Sequence, residues 1–292
     1  MKNKIKDSLL DLKIIDKESI INYYPKVRDR DDVSVLKCEK SGVIFLSSTD
    51  HIDSNTYENN DGFSYWGAGG RAAAINANSE DANRRTKEFG KLITNKKWVD
   101  IGTGAGGILD AMSSTATETW AVEPQESARR ELNKMGYNVL PSIAELPNDY
   151  FEIVTLFHVL EHFTTPLDTL KEIYSKMKKG GKIIVEIPHA RDFLISFLNL
   201  ESFKASTFWS EHIILHTRSS ITRFLEESGF ENIVISGLQR YPLANHLHWL
   251  SKDKPGGHAA WPFLGTEQLD TEYSNMLSNL DMTDTLIIIA EK

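Results

Sequence analysis

Between Trp98 and Ile187, short apolar runs alternate with stretches whose apolar residues recur every three to four positions. The runs Trp98–Ile101, Thr119–Val122, Asn138–Leu140, Ile153–Phe157 and Lys182–Ile187 have strand length and composition. Such alternation predicts βαβ units and a mostly parallel sheet. Before the fifth run, Leu167, Leu170, Ile173, Tyr174 and Met177 keep helical spacing, and Gly180-Gly181 is expected to stop that helix. A further helix is predicted from an N-cap at Thr217, with Ile221, Phe224 and Leu225 on its apolar face and its end at Gly229. Strands Ile233–Ser236 and Thr285–Ala290 complete the pattern.

Ahead of this core, Val33–Cys38 and Val43–Leu46 read as a hairpin about Ser41-Gly42. The Ala-rich, charge-laced stretch from Gly67 to Thr94 reads as one or two helices. Between the last two strands, the Pro, Gly and aromatic residues from Arg240 to about Gly265 predict a long loop, followed by a helix. The expected organisation is an N-terminal hairpin or lid region at 1–66, a core at 67–238, an inserted substrate-binding segment at 239–280 and a final core strand at 281–292.

With 292 residues, 40% hydrophobic and 25% charged, the chain has a globular composition. Its 33 Lys+Arg against 41 Asp+Glu give a net charge of −8, which disfavours a nucleic-acid partner. The basic runs Arg84-Arg85 and Lys176 to Lys182 are too short to reverse that. Cys38 is the only cysteine, so no intrachain disulfide forms, and a reducing, cytoplasmic location is the expectation. The Lys-rich start lacks an apolar core, and no stretch approaches the roughly 20 apolar residues of a membrane span. A homodimer is compatible with all of this.

The segment Val99-Asp100-Ile101-Gly102-Thr103-Gly104-Ala105-Gly106-Gly107 joins the first core strand to a helix. Glycines there let the backbone turn sharply and approach a ligand directly. Glu123 ends the next strand, followed by Pro124, where an acid can accept hydrogen bonds from two ribose hydroxyls. Gly102, Gly104 and Gly107 also satisfy a nicotinamide-type spacing. Asp100 separates the readings: an acid beside the first glycine is unhelpful near a pyrophosphate but suits a ligand with an ammonium and a sulfonium. Its alternative role is to cap the following turn.

Asp100-x-Gly102-x-Gly104-x-Gly106 and Glu123 resemble the first motif and ribose acid of class I S-adenosylmethionine-dependent methyltransferases. Phe151-Glu152-Ile153-Val154 with His158-Val159-Leu160-Glu161-His162-Phe163 resembles the fourth-strand motif of one branch. Lys179 to Pro188 is similar to the fifth-strand motif, and the block from Glu211-His212 to Gly229-Phe230 to the module after it. The resemblance covers about 95–235 and implies an α/β, Rossmann-like seven-stranded sheet whose last strand is antiparallel. It also implies S-adenosyl-L-methionine as cofactor, held by Asp100, Gly102, Thr103, Gly104, Gly106, Glu123, Pro124, Ser142, Ile143, Phe157 and His158.

A sulfonium is already activated, so such an enzyme chiefly aligns a nucleophile and excludes water. A hydroxyl acceptor would also need a base, for which His189, directly after the fifth strand, and His162 are the candidates. For His158 and His162 a capping or core role is the competing reading, and His216 reads as structural. Arg191, close after His189, is expected to contact the substrate, Trp209 and His212 lie in the segment that covers the pocket in similar enzymes, and Arg240, Tyr241, Asn245 and His246 are expected acceptor contacts. Tyr57, Tyr65 and Trp66 are further pocket candidates, of which Tyr65 is retained.

Aromatic faces with Asn, His and Arg donors suit a polyhydroxylated acceptor. The insertion resembles that of methyltransferases of bacterial surface-polysaccharide pathways, which implies O-methylation of a free, nucleotide-linked or polymeric sugar. Cys38-Glu39-Lys40-Ser41-Gly42 looks like a degenerate zinc-binding C-x-x-C-G, yet one thiol cannot make a four-cysteine site, so no metal is expected. The competing functions are methyl transfer to a small aromatic or quinone-type acceptor, a nicotinamide oxidoreductase, and a catalytically idle cofactor-binding partner.

Overall fold

All five apolar runs between Trp98 and Ile187 form strands in the computed structural model, which describes residues 3–52 and 70–292. The first part holds α1 (Lys4–Asp11), β1 (Ile20–Tyr24), β2 (Val35–Cys38) and β3 (Ile44–Leu46). Two helices, α2 (Gly70–Ala77) and α3 (Ser79–Ile93), then lead into β4 (Lys97–Ile101) and α4 (Gly107–Met112). Next come β5 (Glu118–Val122), α5 (Glu126–Lys134), β6 (Asn138–Leu140), β7 (Phe151–Phe157), α6 (Pro166–Lys176) and β8 (Met177–Pro188). Short helices α7 (Phe193–Ser196) and α8 (Glu201–Thr207) precede β9 (Ile214–Leu215), α9 (Arg218–Glu227) and β10 (Glu231–Leu238). The tail holds α10 (Leu243–Lys252), α11 (Gly257–Ala260), α12 (Glu267–Asn279) and β11 (Thr285–Glu291).

The main sheet has seven strands in the order β10-β11-β8-β7-β4-β5-β6. Strands β4 to β8 are parallel, and β11 runs antiparallel to both β8 and β10. The chain leaves β4 towards β6 and then restarts at β7 on the other side, which opens a crevice at the carboxyl ends of β4 and β7. Both faces of the sheet are buried. Phe89, Ile93 and Leu109 from α3 and α4 cover one side with Trp98 and Ile153, while Leu170, Ile173, Ile221 and Phe224 from α6 and α9 cover the other. Thr217 caps α9 through a reciprocal pair of hydrogen bonds with Ser220, as its sequence predicts.

The predicted hairpin is present, with Val35 opposite Leu46, and it belongs to a second sheet of order β1-β2-β3-β9. The Cys38 thiol is buried there, 3.1 Å from the Ser19 hydroxyl. β1 is a strand that the sequence pattern does not reveal, since its residues show no clean alternation in burial.

Two expectations are corrected. α6 ends at Lys176, and Gly180-Gly181 lies inside β8 rather than stopping the helix. The β7/β8 register shifts between Phe151 and Ile153, and a Cβ on Gly181 would sit 2.9 Å from the Lys178 carbonyl oxygen, so the glycines serve an irregular strand entry. The segment after Arg240 is largely helical: α10 starts after Pro242 and ends at Asp253 in a left-handed cap, so its prolines and glycines flank the helix instead of interrupting it.

A buried charge cluster fixes α3 to the sheet. Glu186 on β8 is fully buried; Arg84 donates to its two oxygens at 2.9 and 3.0 Å, and Arg85 donates to Oε2 at 2.9 and 2.7 Å.

Candidate active site

A cavity of about 560 Å³ occupies the crevice at the carboxyl ends of β4 and β7. The turn after β4 forms its floor. Gly102 adopts φ +73°, and a Cβ there would lie 2.5 Å from a Val159 methyl. Gly104 adopts φ +54° and lines the cavity, and a Cβ there would meet no protein atom within 4 Å. Gly102 is therefore demanded by the protein's own packing, whereas Gly104 leaves room on the ligand side.

Two carboxylates flank this turn. Asp100 is buried and accepts a 2.6 Å hydrogen bond from the Thr155 hydroxyl, itself held by the Trp98 indole N–H at 2.9 Å. Burial pushes the Asp100 carboxyl up to about 6, against the lowering by Thr155. Glu123 is also buried, accepting from the Gly104 N–H at 2.8 Å and the Gln125 N–H at 2.9 Å; burial raises its carboxyl as well. The side wall carries Ser142, Ile143, Phe157, Val159 and Phe163, and α2, α3 and Asn78 between them contribute Ala74, Ile75, Asn78, Ala82 and Arg85 from above.

Of the residues that the resemblance assigns to the cofactor, Asp100, Gly102, Thr103, Gly104, Glu123, Pro124, Ser142, Ile143, Phe157 and His158 line this cavity together. Gly106 does not; it starts α4 at φ +73°. His162 lines the cavity, but His189 does not. His189 is buried at the seam between β8 and the approach to β11, where its Nδ1–H donates to the Thr283 carbonyl at 3.0 Å. A bridge between His189 and His216 keeps it in the core, so it cannot emerge at the sheet edge as its position after β8 suggested. His216 is structural as expected, fully buried and 3.0 Å from the Ser220 hydroxyl.

The acceptor candidates disperse. Arg191 reaches Asp281 at 3.3 Å and does not line the cavity. Asn245 is buried and accepts from the Gly256 and Gly257 N–H groups at 2.9 and 3.2 Å. His246 is hydrogen-bonded to the Tyr273 hydroxyl at 2.7 Å, and Tyr241 is exposed. These contacts fix the tail's own helices rather than a ligand. Of the candidates after β10, Arg240 reaches the cavity wall: it pairs with Asp81 and donates from Nη1 to His158 Nε2 at 3.2 Å. Trp209 and His212 pack edge-on against His162, with ring centroids 6.2 and 5.2 Å away. Tyr57, Tyr65 and Trp66 lie outside the described residues.

The His158–Arg240 contact fixes a tautomer. Arg240 only donates, so Nε2 accepts and the proton sits on Nδ1, 3.3 Å from Glu161 Oε1. Burial, with the Arg240 charge next, holds His158 well below the usual histidine range. The roof residues Ala74, Ile75, Asn78, Ala82 and Arg85 escape the sequence reading; only the Ala-rich helix leading into the glycine turn hinted at them.

A glycine turn between two buried carboxylates, open to a cavity of this size, suits a ligand carrying ribose hydroxyls and positive charge. With a seven-stranded sheet whose one antiparallel strand is β11, it defines the class I methyltransferase fold. Residues 75–235 match the family model described as a methyltransferase domain. The chain belongs to that family, and it is an S-adenosylmethionine-dependent enzyme.

The chain is 25% identical over 170 residues to a ubiquinone biosynthesis O-methyltransferase of Idiomarina loihiensis, covering 51% of this chain and 67% of the relative. It is 25% identical over 187 residues to one of Coxiella burnetii, covering 58% and 78%. A crystal structure of a SAM-dependent methyltransferase from Archaeoglobus fulgidus superposes with a TM-score of 0.50 at 21% identity, covering 73% of this chain and 94% of that one. Among the described residues, no helix is long and apolar enough to cross a membrane.

Proposed function

We propose that the enzyme methylates a hydroxyl on a small, largely apolar ring acceptor of the phenol or quinol type. The observation that carries this reading is the apolar part of the cavity lining, where Ile75, Phe157, Val159 and Phe163 offer apolar surface to an acceptor and His162 a polar group. The similarity to ubiquinone biosynthesis O-methyltransferases points the same way. The sugar acceptor expected from the sequence rested on residues 239–258 as an acceptor-binding loop. With Asn245 and His246 engaged inside the tail, that support is withdrawn.

When bound, S-adenosylmethionine supplies a methyl group already activated on sulfur. Asp100, the Gly102–Gly104 turn and Glu123 would hold it, with Ser142 and Ile143 beside its base. Phe157, Val159 and Phe163 would then exclude water and orient the acceptor ring. His158 is unsuited to take the hydroxyl proton, because Arg240 occupies its lone pair. His162 remains to meet the acceptor oxygen; burial holds it down to about 4, so it is neutral and a weak base.

A panel of catechols, quinols, simple phenols and sugar nucleotides, incubated with the enzyme and methyl-labelled cofactor, tests this. Label should enter a phenolic or quinol acceptor as an O-methyl ether. Labelling confined to sugars would replace the reading.

A further inference from the structure

Glu161 and His162 follow β7, and His212 precedes β9, 50 positions later in sequence. The fold brings one ligand atom of each within 4.8 Å of the others. Among the described residues, Glu161 Oε2 accepts no hydrogen bond although it is fully buried, and the buried His162 Nδ1 has no partner either. A buried carboxylate oxygen without a donor is costly, and native proteins rarely leave one so. No guanidinium donates to it: Arg84 and Arg85 are committed to Glu186, and Arg240 to Asp81 and His158. The other Glu161 oxygen faces the Nδ1–H of His158, an arrangement that orients the carboxylate from behind.

We infer that Glu161, His162 and His212 form a binding site for one divalent transition-metal ion, of the zinc, manganese, iron or cobalt kind. Two imidazoles and one carboxylate are the donor set such ions accept, and three protein ligands leave coordination positions open. Bonds of about 2.0–2.1 Å require donors about 3.3 Å apart, which small side-chain rotations reach from the present spacing. Trp209 packs edge-on against both rings, and Arg28 lies 4.7 Å over the Trp209 ring, which limits their rotation.

The site borders the methyl-transfer cavity through His162, which lines its wall. An open coordination position there would meet the acceptor oxygen, and a bound cation would acidify a hydroxyl that neutral His162 alone deprotonates poorly. This last point rests on the proposed O-methylation; the metal site does not. The sequence expectation of no metal considered thiolates, and Cys38 takes no part in this group of side chains.

The test uses the full chain, stripped with a chelator and titrated with Co²⁺ and with Zn²⁺. One ion per chain should bind, with the visible absorption of nitrogen-ligated Co²⁺, and Zn²⁺ should displace it. Glu161→Gln and His212→Ala should each weaken binding by more than the roughly 10- to 100-fold that outer-shell substitutions cost. The exposed His258→Ala should leave it unchanged. Absence of saturable uptake by the wild type, or uptake unaltered in both variants, overturns the site. Should a variant fail to fold, the wild-type Co²⁺ spectrum decides: bands of an oxygen-only sphere also overturn it. S-adenosylhomocysteine binding is measured on the same samples. Intact cofactor binding without metal uptake removes the metal site alone, whereas metal uptake without methylation of any phenolic acceptor removes the acceptor reading alone.

Discussion

Arg240 Nη1 lies 3.2 Å from His158 Nε2, tying the segment after β10 to the wall of the methyl-transfer cavity. The same guanidinium pairs with Asp81 at the start of α3, so three separate parts of the chain meet at one side chain. Arg240→Leu leaves Asp81 partly buried without its main partner, and should cost about 3 kcal/mol in urea unfolding. Arg240→Lys should recover only part of that, because an ammonium cannot reproduce the fork. In the leucine variant His158 should titrate at a higher pH by NMR, since a neighbouring positive charge has been removed.

Glu186 is the fully buried end of the cluster that anchors α3. Glu186→Ala strands two guanidinium groups, and a loss of about 3–5 kcal/mol is expected. Hydrogen exchange should localise the damage, with amides of 79–93 losing protection before those of β4 and β7.

Gly102→Ala and Gly104→Ala separate folding from binding. The first forces a Cβ to 2.5 Å from Val159 at a left-handed backbone angle, and should cost about 3 kcal/mol in thermal or urea unfolding. The second meets no protein atom within 4 Å, so it should cost about 1 kcal/mol. Its methyl group nevertheless enters the ligand's space, and calorimetry with S-adenosylhomocysteine should show at least tenfold weaker binding, about 1.4 kcal/mol.

Asp100 sets a pH dependence. Its carboxyl titrates at about 6 in the folded chain, against about 3.9 in an unfolded one. Between those values the folded state holds the extra proton, so this group makes apo stability fall as pH rises from about 4 to about 6. Ligand binding runs the other way: the ionised carboxylate is the form that attracts a cationic ligand, so affinity should drop as pH falls below about 6. Calorimetry from pH 5 to 8 checks this, and Asp100→Asn should bind weakly with a flattened profile.

The core was legible because its strands are buried on both faces and read as continuous apolar runs, and because Asp100, the glycine turn and Glu123 sit close together along the chain. The tail was misread for a physical reason: residues 243–252 contain no Pro or Gly, but Pro242 before them and Pro255-Gly256 after them drew the whole segment towards a loop. Contacts made across long separations escaped as well. Nothing in periodicity says that Arg84 and Arg85 meet Glu186 a hundred positions away, that Arg240 meets His158, or that His189 turns into the core while His162 faces the cavity.

The place of β11 between β8 and β10 orders events during synthesis. Until residues from 285 onward leave the ribosome, β8 presents an open hydrogen-bonding edge and β10 has no neighbour in the sheet. A nascent chain paused before that point therefore displays a sticky flank beside five strands already joined, open to pairing with a chaperone or a second copy.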